Sequence, residues 1–381
     1  MSSLLTVKSI HSFEVKIPFT VSFSHASADR SVTESVFLEI TDISGLVGYG
    51  EGCPRSYVTG ESVSSVLAFI EKQKQNIGNV RSLEDIENYI AVHQESIDAN
   101  PAGWCAIELA LLDLLGKLAG VPVEAILKSP TARTDYHYSA VLGDASADAF
   151  SSLYKQYRLQ EFTDFKVKLN GDLQKDQAKL DCLRQDLQAI TVRADANNLW
   201  PSQKHALKYL LALDIPFTGI EEPIQSRNIA ELGELASELK IKVILDESFL
   251  RFEHIASLTL NPHSWIVNIR VSKMGGLLRS MKIISELVRH DIEITVGCQV
   301  GESSLLTRAA LILADAASYK LNSQEGAFGK LLLSEEPFEP CLQFGRRGRL
   351  STSQMPMRGA PGFGLTRDKQ VSFTTIDFAE L

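Results

Sequence analysis

From about residue 135 to 335, short apolar runs alternate with amphipathic stretches. The strand-like runs fall at 138–142, 165–169, 190–194, 217–220, 243–245, 265–271, 292–296 and 318–321. They are near-continuously apolar, as strands covered on both faces are. Between them lie segments of helical periodicity such as 202–213 and 277–289. Eight β/α units in strict alternation predict a parallel sheet closed into a (β/α)8-type, TIM-like barrel over 126–340. Residues 1–125 read differently. The stretch 36–40 alternates and leads to Gly45 and GYGEG at 48–52, which predicts a hairpin with glycines where the chain turns. Residues 101–119, PAGWCAIELALLDLLGKLA, predict a mostly buried helix. This zone is an α+β N-terminal domain. The Gly/Pro-rich residues 341–381 end in a short alternating segment and are expected to pack back on that domain and complete it.

Length and charge narrow the function. The 381 residues suit a barrel of about 250 residues with a second domain. The net charge of -9 comes with no Lys/Arg run, which speaks against a nucleic-acid partner. The first nineteen residues read as a strand and not as a signal peptide, and no apolar run approaches the roughly 20 residues that span a bilayer. The five cysteines are odd in number, far apart and form no CxxC. Structural disulfides and zinc sites are therefore not expected, and a cytoplasmic location is.

The chemistry lies at the ends of successive strands. Lys168 in FKVKLN, Asp195 in VRADAN, Glu221 in GIEEP, Asp246 in ILDES and Lys273 in IRVSKMGG follow one another at intervals of 25 to 27 residues. That is one β/α unit each time, so the five side chains converge on the mouth where βα loops build active sites. A single acidic residue there often just caps the next helix. Three in register, flanked by lysines one strand to either side, do not reduce to capping. Three carboxylates without His or Cys make an all-oxygen site that favours Mg2+, or Mn2+, over zinc. A substrate carboxylate at such an ion would place its α-carbon between Lys168 and Lys273. The α-proton is very weakly acidic, so the enediolate left by its removal needs the cation. A lysine serves as base only with its pKa lowered, which nearby positive charge achieves; Lys166 lies two residues along the strand on the same face as Lys168.

The ordered set resembles the enolase superfamily, in particular its muconate lactonizing enzyme subgroup. KxK at 166–168, DAN at 195–197, EEP at 221–223, DES at 246–248 and KMGG at 273–276 match in order and spacing, as do AIELALLDLLGK and the PGFGL of 361–365. The resemblance implies Asp195, Glu221 and Asp246 as metal ligands and Lys168 and Lys273 as the acid/base pair. It implies Lys166 as a contact of the substrate carboxylate, with Asn197 and Glu247 orienting lysines and ligands. The seventh strand region, ITVGCQVGES, carries no histidine, unlike the mandelate racemase subgroup.

By the same resemblance the N-terminal domain caps the mouth, and its loops at 19–30 and 51–61 choose the substrate. The second is similar to the GEAPP…TGE loop of dipeptide epimerases. His25, Arg30, Arg55 and Tyr57 are candidate contacts there, and Glu302 after the seventh strand is another. Dipeptide epimerases carry Asp-x-Asp on the eighth strand for the substrate ammonium. Here YKLNSQEGAFG puts Asn322 and Gln324 at the expected positions, neutral groups that make no charge-assisted bond, with Glu325 as a partial substitute. The reaction expected is proton abstraction α to a carboxylate, foremost by an epimerase or racemase of a dipeptide or N-acylated amino acid. A muconate-type cycloisomerase or an o-succinylbenzoate-synthase-like dehydratase would use the same groups, and a non-catalytic ligand-binding barrel would bind metal without exchanging protons. The partner is a small carboxylate, and a homo-oligomer is compatible with the reading.

Overall fold

A computed structural model describes residues 4–25, 28–130, 132–371 and 373–375; the side chains of 21–25, 28–30 and 374–375 lie outside that description. The N-terminal sheet is antiparallel, with Thr374–Thr375, Val7–Val15, Ser35–Asp42 and Val47–Gly52 in that order. The turn between its last two strands lies at Gly45, whose φ of +88° suits glycine. The glycines of GYGEG do not turn the chain, contrary to the sequence reading. They sit inside the strand, where a Cβ at Gly48, Gly50 or Gly52 would come within 2.1, 1.8 and 2.1 Å of the carbonyl oxygens of Ala110, Ala106 and Ala102. Two strand residues advance about 6.6 Å and four helical residues about 6 Å. A glycine at every second strand position therefore lets the helix Pro101–Ala119 lie backbone to backbone on the strand. That helix starts at a proline and stops at Gly120 in the left-handed region, and its bounds are those its apolar periodicity predicts.

The second unit is an eight-stranded parallel sheet in sequential order, formed by Ala140–Leu142, Asp164–Lys168, Thr191–Asp195, Gly219–Glu221, Lys242–Leu245, Trp265–Ile269, Glu293–Val296 and Leu321–Gln324. These are the first to eighth barrel strands below. The sheet curls until its edges meet. Ser139 N–H donates to the Gln324 carbonyl at 2.8 Å across the seam. Arg193, in the third strand, spans the interior and donates 2.5 Å bonds to Ser139 and Ser323 on the two sides of that seam. Helices such as Ala147–Leu159, Gln203–Leu213, Leu277–Arg289 and Ser304–Ala317 cover the outside. The fold is a TIM-like (β/α)8 barrel with an α+β N-terminal domain.

The C-terminal segment holds to both units. Arg349–Ser351 pairs with Asp135–His137, and Thr374–Thr375 pairs with Glu14 and Phe13. Phe373 packs on Phe13 and Phe37, and Phe363 N–H donates to Asp113 at 2.8 Å. Among the described residues no helix is long and apolar enough to cross a membrane.

Candidate active site

Each strand delivers its functional side chain by parity. Lys166 and Lys168 face the interior together while Val167 faces outward. Asp195 and Glu221 are the last residues of the third and fourth strands, and Asp246 follows the last residue of the fifth. Lys273 comes from the four-residue helix Val271–Met274, closed by Gly275 and Gly276 at positive φ. All six side chains are buried.

The charges interleave. Lys166 Nζ lies 2.7 Å from Glu221, 3.1 Å from Glu325 and 3.6 Å from Asp195. Burial opposes its charge, but those three carboxylates hold its pKa well above the ordinary lysine value. Lys168 Nζ lies 3.0 Å from Asn197 Oδ1 and 3.4 Å from Asp195. At the other end of the row, Lys273 donates three 2.8 Å bonds, to Asp246 Oδ1, the Asp246 carbonyl and the Asn268 carbonyl. Burial pulls the Lys273 pKa below its usual value against the pull of Asp246. Arg270 pairs with Asp246, donates to Gln299 at 2.8 Å and stands 3.9 Å from Glu221.

Among the described residues no three His, Cys, Asp or Glu side chains close around one point as they are placed. The cations Lys166 and Arg270 stand between the carboxylates. The donor set nonetheless fits a hard divalent ion. Its three carboxylates are hard oxygen donors from adjacent strand ends, and Glu221 Oε2 is buried with an ion-pair contact to Lys166 at 2.7 Å but no hydrogen bond of good geometry.

The other candidates separate. Asn197 bonds Lys168, and Glu247 lines the cavity with a buried Oε2 that has no hydrogen-bond partner; burial, then Asp246 and Glu222, push its carboxyl up to about 8. Asn322 is exposed and donates to Glu293 at 2.8 Å at the opposite end of the barrel, so it does not reach the mouth. Gln324 shares its parity and is buried behind the strand, outside the cavity lining. The inward residues are Ser323 and Glu325, one position off. Arg55 is buried, donates to the carbonyls of Glu34, Pro54 and Val300, and does not itself line the cavity. Glu302 accepts from Gln299 N–H at 2.6 Å and likewise stays out of the lining, while Tyr57 lines it. The side chains of His25 and Arg30 lie outside the described ones.

Three functional neighbours escape the sequence reading: Arg270, Arg193 and Glu222. Glu222 accepts from Asp246 N–H at 2.6 Å and from Ser248 N–H and Oγ–H at 2.7 and 2.6 Å, fixing the loop that carries Asp246. Parity and place give Arg193 and Arg270 no more than a weak signal in the sequence, since one sits two residues before Asp195 and the other directly after the sixth strand. The cavity over these groups measures about 560 Å3, within the range of small-molecule sites.

Residues 149–371 match the enolase C-terminal domain-like family, and residues 6–127 match the N-terminal domain of the mandelate racemase/muconate lactonizing enzyme family. The chain belongs to the enolase superfamily. It is an enzyme of that superfamily, and its curated relatives are isomerases, named epimerases and racemases. A hydrophobic dipeptide epimerase of Enterococcus faecalis is 28% identical over 82% of this chain and 88% of its own. An L-Ala-D/L-Glu epimerase of Bacillus subtilis is 26% identical over 93% and 95%. Among solved structures, the Enterococcus faecalis dipeptide epimerase complexed with Mg and L-Leu-L-Tyr superposes with a TM-score of 0.81 at 25% identity over 95% of this chain and 99% of its own. The N-succinyl Arg/Lys racemase of Bacillus cereus superposes at 0.84 and 21% identity over 97% and 100%, a likeness of fold.

Proposed function

We propose that this superfamily member is a racemase or epimerase that exchanges the proton on the carbon next to the carboxylate of a dipeptide or N-acylated amino acid. The observation that carries the reading is the placement of two lysines at the two ends of one carboxylate row, Lys168 against Asp195 and Lys273 against Asp246. A proton taken by one lysine is replaced by the other, which inverts the carbon. Lys166 meets the substrate carboxylate, and Asn197 orients Lys168. Asp195, Glu221 and Asp246 would hold Mg2+, with Mn2+ meeting the same hard-ligand preference. The bound ion supplies positive charge against the negative charge that develops on the substrate carboxylate. Magnesium in structures of superfamily relatives supports that choice.

One observation favours a second reading. Lys273 donates three bonds at once, the posture of an ammonium. A one-base cycloisomerase or dehydratase would use it in that form, with Lys168 as the base. Incubation in D2O with Mg2+ and pooled dipeptides, N-succinyl and N-acyl amino acids, and muconates distinguishes the two. One deuterium gained with mixed stereochemistry supports the racemase. A new product without such exchange supports the one-base reading, and neither one refutes both.

A further inference from the structure

The cavity does not end at the lysines. Past Glu325 it continues between the helix Ala147–Leu159 and residues 328–332, where Phe150, Leu153, Phe328, Leu331, Leu332 and Phe344 line it. Leu153 and Leu331 stand 37% and 47% exposed at this arm, so apolar surface faces a concave space continuous with the reactive groups. The wall is anchored. Thr20 N–H donates to the Leu332 carbonyl at 2.7 Å and Ser334 N–H to the Pro18 carbonyl at 2.9 Å, which joins it to the N-terminal domain.

The two carboxylates at this arm are both engaged. Glu325 is shared by Lys166 at 3.1 Å and Arg193 at 3.4 Å. Asp144 is held by Lys179 at 2.6 Å and Asn170 at 3.1 Å. Each carboxylate already has a cation beside it, and an ammonium set among the apolar side chains of this arm would lose hydration without an uncompensated charge to pair with. We propose that this arm is a binding subsite for an apolar, uncharged N-acyl chain. On this view the substrate is an N-acylated amino acid with several acyl carbons, and a free α-ammonium is disfavoured. The inference rests on the α-proton exchange proposed above and adds what lies on the substrate nitrogen.

The test uses the full chain with Mg2+ in D2O. One amino acid, chosen as the fastest among N-hexanoyl derivatives, is offered as its N-acetyl, N-butanoyl, N-hexanoyl, N-succinyl and glycyl forms. Each methylene taken from water strengthens binding about fourfold at most. The kcat/KM for deuterium uptake is expected to rise at least about tenfold from acetyl to hexanoyl, with succinyl and glycyl at least about tenfold below hexanoyl. In Leu153→Glu and Leu331→Glu the hexanoyl-to-acetyl ratio should fall toward one. If a variant fails to fold, the chain-length series with the unaltered protein still decides. A flat series, or preference for glycyl or succinyl, overturns the subsite and leaves the racemase reading standing. No exchange with any derivative overturns both.

Discussion

Replacing Lys273 by methionine keeps the length of the side chain and removes its charge. In the structure its ammonium is buried and donates three bonds of 2.8 Å. Methionine leaves two carbonyls and one carboxylate oxygen without those donors. At about 1–3 kcal/mol for each stranded carbonyl, the fold should lose about 2–6 kcal/mol, less what is recovered by no longer burying an ammonium. The chemical loss is separate. A positioned acid or base contributes about 10²–10⁴-fold, or about 3–5 kcal/mol of barrier. The loss should also be one-sided. Each antipode is followed alone by NMR in D2O with Mg2+, below the unfolding transition located in urea. One antipode, whose proton faces Lys168, should keep its exchange, while the other slows at least about a hundredfold and inversion stops. A folded Lys273→Met protein that exchanges both antipodes in the unaltered ratio would refute the assignment of Lys273 as acid or base.

Other perturbations follow from the same contacts. Gly50→Ala places a Cβ 1.8 Å from the Ala106 carbonyl oxygen, and overpacking against backbone should cost about 3 kcal/mol or more, seen as a lower urea midpoint. Glu51 is buried beneath bonds from Ser303 and Ser35, and burial pushes its carboxyl up to about 7 from 4.5. The native state therefore holds a proton that the unfolded chain releases earlier. Its contribution is whole below about pH 4.5 and fades as pH rises through 7, on the order of 3 kcal/mol. Relative to Glu51→Gln, the unaltered protein should lose that much more stability between pH 5 and 8; parallel curves would contradict the assignment. Chelation with EDTA should stop proton exchange, and Mg2+ at a hundred times its Kd should stabilise by about 2.7 kcal/mol in thermal melts. A Glu221→Gln protein should lose most of that shift.

The barrel is legible because its signal repeats. Eight apolar runs at one spacing tolerate errors of one or two residues at each end, and the five charged strand ends keep their order regardless. The eighth strand shows where this stops. Its four residues include one large apolar side chain, Leu321, and residues 318–320, read as its start, form a 3-10 turn. With no alternation to set parity, Asn322 and Gln324 were put on the inner face that belongs to Ser323 and Glu325. Arg193 and Arg270 were hidden for another reason. A cation in a strand or just after one reads as exposed until its partners, carried by other strands, come into place. The GYGEG glycines mark a strand because a helix presses on them, and that contact spans about 60 residues of sequence.

One rung of contacts joins the N-terminal domain to the barrel. Glu51 accepts from Ser303 N–H at 3.2 Å and from its Oγ–H at 2.5 Å, Cys53 N–H donates to Ser272 at 2.8 Å, and Arg55 donates to the Val300 carbonyl. Consecutive odd positions of one strand and its loop thus grip the segments after the sixth and seventh barrel strands. Ser272 is the immediate neighbour of Lys273. Exchanging N-terminal domains between relatives would therefore transplant half of a joint whose other half is next to the lysine proposed to react. Functional hybrids should arise only where residues 51–55 travel together with 272 and 300–303.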